Sequence, residues 1–219
     1  MADCLQRTQL ARAASALGRA RRSTLPALVL LTDDERLPEP RDAVMALPRG
    51  SLVILRARER KRCSALADML AGLACAHGLE WIVADDPDLA ARAGADGAHF
   101  PERKVSLAAH WRVRRPNWLI TCAAHSLGAC LRAARAGANA VLLAPVFATA
   151  SHADRPGIGS LRARLIARDV PVPIFALGGI DAQTAGRLAG GSFAGLAAIG
   201  GLAVPRRDGS CCTGDTANV

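Results

Sequence analysis

Short, continuous apolar runs alternate along this chain with segments of helical spacing. The runs cover 27–32, 51–55, 81–83, 97–100, 118–122, 140–146, 173–177 and 195–200. Unbroken rather than alternating apolarity means burial on both faces, the mark of a parallel sheet. Eight strands are therefore predicted. The helical segments between them are well punctuated. Asp86-Pro87 opens one as N-cap and first-turn proline, Leu89, Ala90 and Ala93 form its inward face, and Gly94 ends it. Ser126 opens a second, with Leu127, Cys130, Leu131 and Ala134 on one face and Gly137 at its end. The segment 64–78 carries Leu66, Met69, Leu70 and Leu73 in the same manner, and Asp181 caps a fourth with Ala185 and Leu188 inward.

An internal echo reinforces the alternation. Ala90-Ala91-Arg92-Ala93-Gly94-Ala95-Asp96 returns 43 residues later as Ala133-Ala134-Arg135-Ala136-Gly137-Ala138-Asn139. In each copy a helix ends at glycine and a strand follows within a few residues. Repeated βα units of this kind predict an α/β protein, a TIM (β/α)8 barrel. A doubly wound open sheet is the alternative, disfavoured because no Gly-x-Gly-x-x-Gly follows the first strand.

Residues 1–24 add an extra N-terminal amphipathic helix, with Leu5, Leu10, Ala13, Ala14 and Leu17 near helical spacing. Their five arginines against one aspartate also suit a transit peptide, but a helix packed on the body is the favoured reading. The barrel is expected over 25–204, and the Gly-, Cys- and Thr-rich tail 205–219 is expected to be disordered.

Composition narrows the picture. The chain of 219 residues is 51% hydrophobic but only 3% aromatic, with no tyrosine. Base-stacking proteins use more aromatics, so no nucleic-acid partner is expected despite the net charge of +9. No apolar run reaches the roughly 18 residues of a bilayer span, so no membrane partner is expected either. The basic residues are almost all arginine, Lys61 and Lys104 being the two lysines, and arginine makes the better fork for phosphate. The seven cysteines include no C-x-x-C pair. They predict a reducing, cytoplasmic setting with most thiols acting as small buried hydrophobes, Cys211 and Cys212 in the tail excepted.

A barrel of this kind carries its chemistry at the C-terminal ends of the strands. Those ends hold Thr32-Asp33, Arg56 to Arg58, Asp85-Asp86, His99 to Glu102, Cys122 to Ser126, Thr149 to His152, Gly178-Gly179 and Ile199-Gly200. The sharpest signal is Ala176-Leu177-Gly178-Gly179-Ile180-Asp181, a buried strand entering two glycines and a capped helix. Glycines let backbone N–H groups approach an anion, and the loops after strands 7 and 8 often hold phosphate. A tight turn that needs glycine for steric reasons alone is the competing explanation.

In order and spacing these segments resemble the thiamine-phosphate synthase and thiazole tautomerase (TenI-like) family, and in particular a divergent bacterial synthase-like subgroup. The resemblance runs from Ala27 to Leu202. It rests on Gly94-Ala95-Asp96-Gly97-Ala98-His99, on Ala124-His125-Ser126, on 140–146 leading into Phe147-Ala148-Thr149-Ala150-Ser151-His152, and on 173–180. Leu31-Thr32-Asp33 and Leu47-Pro48-Arg49-Gly50 point to the subgroup. The resemblance implies an enzyme of thiamine biosynthesis that couples an aminopyrimidine diphosphate to a thiazole phosphate, releasing pyrophosphate with Mg²⁺. Possible homodimers are implied as well. The alternatives are a TenI-like thiazole tautomerase and a non-catalytic binder of thiazole or thiamine phosphates.

Carried over residue by residue, the resemblance implies catalytic roles for Arg56, Arg58, His125 and His152. It implies phosphate binding by Gly178, Gly179, Ile199, Gly200, Thr149 and Ser151, and a single surviving Mg²⁺ carboxylate in Asp85. Arg58 stands where the family has a lysine, and His152 replaces another. The carboxylate after the fourth strand is missing from Pro101-Glu102-Arg103-Lys104, although Glu102 lies close in sequence. His125 has the chemistry for a 1,3-proton shift, since imidazole takes and returns a proton near neutral pH. His99, ending a buried strand, reads as structural. Asp86 reads as the cap before Pro87. Asp33 is open between substrate contact and loop contact, and the loop Arg155-Pro156-Gly157-Ile158-Gly159 is open between a lid and a plain connection.

Overall fold

Runs such as Leu-Val-Leu-Leu, Leu-Val-Ile-Leu and Ala-Val-Leu-Leu become four-residue strands with every position buried. The computed structural model describes residues 2–149 and 157–203, with side chains from Cys4 onward. Eight strands close a parallel barrel in chain order. They are β1 (Leu28–Leu31), β2 (Leu52–Leu55), β3 (Glu80–Ala84), β4 (Gly97–Phe100), β5 (Leu119–Ala124), β6 (Ala140–Leu143), β7 (Ile174–Ala176) and β8 (Gly195–Ala198). Closure comes from β8 pairing with β1, where Val29 faces Ala197. Every strand predicted from the apolar runs is present. The run 140–146 stops at Leu143 because Ala144-Pro145 follows, and proline has no N–H for the ladder.

Around the barrel lie α1 (Ala2–Arg21), α2 (Arg41–Met45), α3 (Arg60–His77), α4 (Pro87–Arg92), α5 (Val105–Arg114), α6 (Leu127–Arg135), α7 (Ser160–Asp169) and α8 (Ala182–Ala185). The caps read from the sequence are made. Asp86 accepts from Leu89 N–H at 2.9 Å and Ser126 from Ala129 N–H at 3.2 Å. Asp181 forms a reciprocal capping box with Thr184. The helix expected over 64–78 begins earlier, at Arg60, with Gly78 left-handed at φ 61° as its C-cap.

The echo has a structural meaning at the opposite rim from the strand ends. Gly94 and Gly137 take φ of 70° and 80° to end α4 and α6. Two residues further on, Asp96 accepts from Trp81 N–H at 2.9 Å and Asn139 from Ile120 N–H at 2.8 Å. Each copy thus ties the entry of one strand to an earlier neighbour.

The N-terminal helix is part of the wall. Leu10, Ala14 and Leu17 of α1 are buried where it packs on β8, α8 and the 200–202 turn. A Cβ on Gly18 would come within 3.0 Å of Ala194 O and Ala27 Cβ, so glycine permits the close approach. α1 fills the outer position that alternation assigns to a helix after β8. The tail 205–219, with Cys211 and Cys212, lies outside the described residues. Cys63, Cys122 and Cys130 are free and buried, as expected, whereas Cys4 and Cys75 are exposed. Burial pushes the Cys122 thiol up to about 12 and, with Glu102 adding to it, that of Cys130 to about 11.

Candidate active site

At the β1–β2 corner two polar residues are buried under the mouth. Thr32 Oγ1 accepts from Arg56 N–H at 2.7 Å and donates to Arg56 O at 2.8 Å, which locks the two strand exits together. Asp33, 7% exposed, accepts from the Glu35 and Arg36 N–H groups at 3.2 and 3.0 Å. Its Oδ2 also meets Arg36 Nη2 at 3.1 Å and Arg56 Nη2 at 3.0 Å. Burial by itself would raise this carboxyl. The hydrogen bonds and charge of Arg36, with the charge of Arg56, outweigh burial and hold it at about 2. Asp33 is therefore an anchor of its own loop and the ion-pair partner of Arg56. Arg58 is turned to the same loop, its N–H on Asp34 at 2.7 Å and its guanidinium on Glu35 at 2.6 Å.

Across β3 and β4, Asp85 takes the left-handed conformation at φ 61° and donates its N–H to His99 O at 2.9 Å. Aspartate is among the few residues that accept this geometry readily. Its carboxylate is clasped by two cations, Lys104 Nζ on Oδ1 at 2.7 Å and Arg103 Nη2 on Oδ2 at 3.0 Å. Both cations come from a 3₁₀ turn, Glu102–Lys104, that follows β4 immediately. His99 is buried, and its Nδ1 lies 2.8 Å from Thr121 Oγ1. Burial, reinforced by Arg56 and opposed by Asp85, pushes its pKa down to about 4, so the imidazole is neutral. That matches the structural role read from sequence.

His125 and Glu102 form the other half of this side. His125 donates its backbone N–H to Glu102 Oε2 at 3.1 Å, and its Nδ1 lies 2.7 Å from the same oxygen. Arg132, one turn into α6, binds Oε1 at 2.9 Å. Pro101, Glu102, Arg103, Ala123, His125 and Arg132 line a mouth pocket of about 450 Å³.

On the opposite side β6, β7 and β8 end in tightly packed turns. Gly178 and Gly179 have φ of 93° and 63°. A Cβ on Gly178 would stand 2.7 Å from Pro145 Cα, and one on Gly179 would stand 2.7 Å from Ala148 O. The steric explanation for the glycines is thus real, and it coexists with their place at the mouth. Phe147 N–H binds Gly178 O at 3.0 Å, and the Arg187 guanidinium lies 4.9 Å from the Phe147 ring centre. Ile199 leads into the 3₁₀ turn Gly200–Leu202 at the exit of β8. Thr149 is described at the β6 loop, but Ser151, His152 and the Arg155-Pro156 part of the proposed lid lie outside the described residues.

The donor set does not fit Mg²⁺. This ion takes oxygen ligands in a near-octahedral shell, usually several waters and substrate phosphates together with one or two protein carboxylates. Both oxygens of Asp85 face protein cations, and both oxygens of Glu102 are bound by His125 and Arg132. Glu102, like Asp85, is thus held by side chains of the protein itself. Among the described residues no group of three or more His, Cys, Asp or Glu side chains is arranged to hold a metal. Sequence reasoning overlooked Arg103, Lys104 and Arg132. The signal was present in the basic pair after Glu102, but the 3₁₀ turn that aims it was not foreseen.

Fold and strand ends together define a (β/α)8 barrel whose mouth is cationic on one side and glycine-lined on the other. The family model described as thiamine monophosphate synthase matches residues 28–202, and the chain belongs to that family. It is 37% identical over 123 residues to the thiamine-phosphate synthase of Methanoculleus marisnigri, covering 56% of this chain and 58% of that protein. With the thiamine-phosphate synthase of Chlorobium luteolum it shares 29% identity over 180 residues, 80% of this chain and 84% of the relative. A thiamine phosphate pyrophosphorylase from Pyrococcus furiosus superposes with a TM-score of 0.68 at 25% identity, covering 78% of this chain and 84% of that one. The matches span only 58%, 50% and 58% of the length of the first three curated relatives. Among the described residues no helix is long and apolar enough to cross a membrane.

Proposed function

We propose that this barrel is a thiamine-phosphate synthase, joining an aminopyrimidine diphosphate to a thiazole phosphate. The observation that carries this reading is the division of the mouth. In an eight-strand barrel β3 and β4 stand opposite β7 and β8. Cations at the first pair suit a departing diphosphate, and the glycine turns of the second suit a phosphate monoester. In the reaction the bond between the pyrimidine methylene and the diphosphate oxygen breaks, and the diphosphate leaves with the electron pair. The thiazole nitrogen then forms the new C–N bond to that methylene. Negative charge grows on the leaving group, so preorganised cations lower the barrier.

Arg56, paired with Asp33, serves the diphosphate, and Arg58 and His152 are assigned to the same group by the family resemblance. Gly178, Gly179, Ile199 and Gly200, together with Thr149 and Ser151, receive the thiazole phosphate. Asp85 positions Arg103 and Lys104 in place of ligating a metal. The buried free thiols of Cys63, Cys122 and Cys130 accord with a reducing compartment, the cytoplasm. Incubating the full chain with both phosphorylated halves and following thiamine phosphate by chromatography tests the reading. No product above background at saturating substrates overturns it.

One observation favours a second activity at the same mouth. The 2.7 Å contact of His125 Nδ1 with Glu102 leaves Nε2 as the nitrogen for proton exchange, as thiazole tautomerisation requires. Loss of tautomerase activity in His125→Ala, with the fold intact, would support it; unchanged activity would remove it.

A further inference from the structure

We infer that the diphosphate half of this site works without a divalent cation, Arg103 and Lys104 clamped on Asp85 taking the metal's place. This rests on the synthase reading and names the chemistry of its leaving-group subsite. Three observations converge on it.

The first is occupancy of the carboxylates. At Asp85 both oxygens are already engaged, Lys104 Nζ lying 2.7 Å from Oδ1 and Arg103 Nη2 3.0 Å from Oδ2. Glu102 is engaged in the same way, Oε2 by His125 and Oε1 by Arg132. Both acidic groups at the ends of β3 and β4 are thus neutralised from within the protein.

The second is the charge left over. Asp85 against Arg103 and Lys104 leaves one net positive charge, and Glu102 against Arg132 leaves none. An ammonium has three N–H donors and a guanidinium five, so one contact each to Asp85 leaves donors for a ligand. Charge-assisted bonds from such groups to phosphate oxygens are the strong kind.

The third is placement. Arg103 lines the pocket of about 450 Å³ that also holds His125 and Arg132. Arg56 follows β2, the neighbour of β3 in the barrel, where its Nη2 lies 3.0 Å from Asp33. The 3₁₀ turn, with Lys104 N–H bonding Pro101 O at 2.8 Å, places Arg103 and Lys104 directly after β4. Asp85 is thereby a positioning residue for two cations.

Calorimetric titration of the full chain with inorganic pyrophosphate, once in EDTA and once in Mg²⁺, tests this. The expected result is binding in EDTA within about threefold of that in Mg²⁺, and a loss of about tenfold or more in the Arg103→Gln, Lys104→Met double variant. That variant, with Asp85 released, should also acquire a dependence on Mg²⁺, which a purely structural ion pair would not produce. If the double variant fails to fold, Lys104→Gln alone should still weaken binding in EDTA. Wild-type binding that strengthens about tenfold or more on adding Mg²⁺, or variants that bind unchanged in EDTA, would overturn the inference. Metal-free pyrophosphate binding without thiamine phosphate formation would defeat the synthase reading while leaving the clamp standing. Product formed only with Mg²⁺ would do the reverse.

Discussion

The Nδ1 of His125 and the Oε2 of Glu102 lie 2.7 Å apart, across 23 residues of sequence and two adjacent strand ends. Arg132 secures the far oxygen of the same carboxylate at 2.9 Å. The imidazole is held at one ring nitrogen, so its orientation depends on Glu102. Glu102→Ala should lower the tautomerase kcat by about tenfold with KM little changed, and Glu102→Gln should recover part of the loss. Steady-state kinetics of the two variants beside His125→Ala measures this. Equal kcat in wild type and Glu102→Ala would detach the carboxylate from the chemistry.

Arg56 is paired with Asp33, and the two should separate by readout. Arg56→Met should weaken pyrophosphate binding about tenfold with little effect on stability. Asp33→Ala removes the anchor of its own loop and should cost about 2 kcal/mol in urea unfolding. Because folding depresses this carboxyl from 3.8 to about 2, its contribution is complete above pH 3.8 and disappears as pH falls toward 2. An Asp33→Ala protein as stable as wild type at neutral pH would contradict the anchor.

Gly179→Ala should be costly twice over. It forces alanine to φ 63° and puts its Cβ 2.7 Å from Ala148 O. A destabilisation of about 2 kcal/mol or more is expected, together with weaker binding of thiazole phosphate. Thermal unfolding with and without the ligand reads both. An alanine variant with wild-type stability and affinity would show that the turn relaxes without consequence.

His99 makes stability pH-dependent in a defined window. The folded chain resists protonation until about 4, whereas the unfolded chain takes the proton near 6.5. The unfolded state binds more protons between these values, so stability is complete above 6.5 and falls with pH toward 4, by about 3 kcal/mol. Urea unfolding of wild type and His99→Gln from neutral pH down to pH 4 tests it. The wild type should lose stability more steeply than the variant, and parallel curves would exclude the imidazole as the source.

The N-terminal helix should matter to the whole barrel. Leu10 is fully buried between α1 and the body. Leu10→Ala should cost about 2–4 kcal/mol in a cooperative denaturation, the range for a cavity in a well-packed core. A loss well below 1 kcal/mol would show that α1 is an appendage.

Much of this was legible in one dimension. Local patterns encode local structure, so apolar runs mark strands, and Asp86, Ser126 and Asp181 mark helix starts because a cap bonds only two or three residues ahead. The repeat ending in Asp96 and Asn139 even disclosed the βα unit, although its use in tying strands together appeared only on folding. Helices without a strong cap, such as α5, left no comparable signature.

The site divides along the same line. By itself the sequence determined that a glycine pair follows β7, that Arg56 ends β2, and that the loops carry the family pattern over 28–202. It could not pair charges, because ion pairs form through space between residues that the chain separates. Asp85 meets Arg103 and Lys104 only when β3 and β4 lie side by side, and Glu102 meets His125 and Arg132 only when β4 neighbours β5. The pairing of neighbouring strands in the barrel therefore decided that Asp85, the carboxylate read as a metal ligand, meets Arg103 and Lys104.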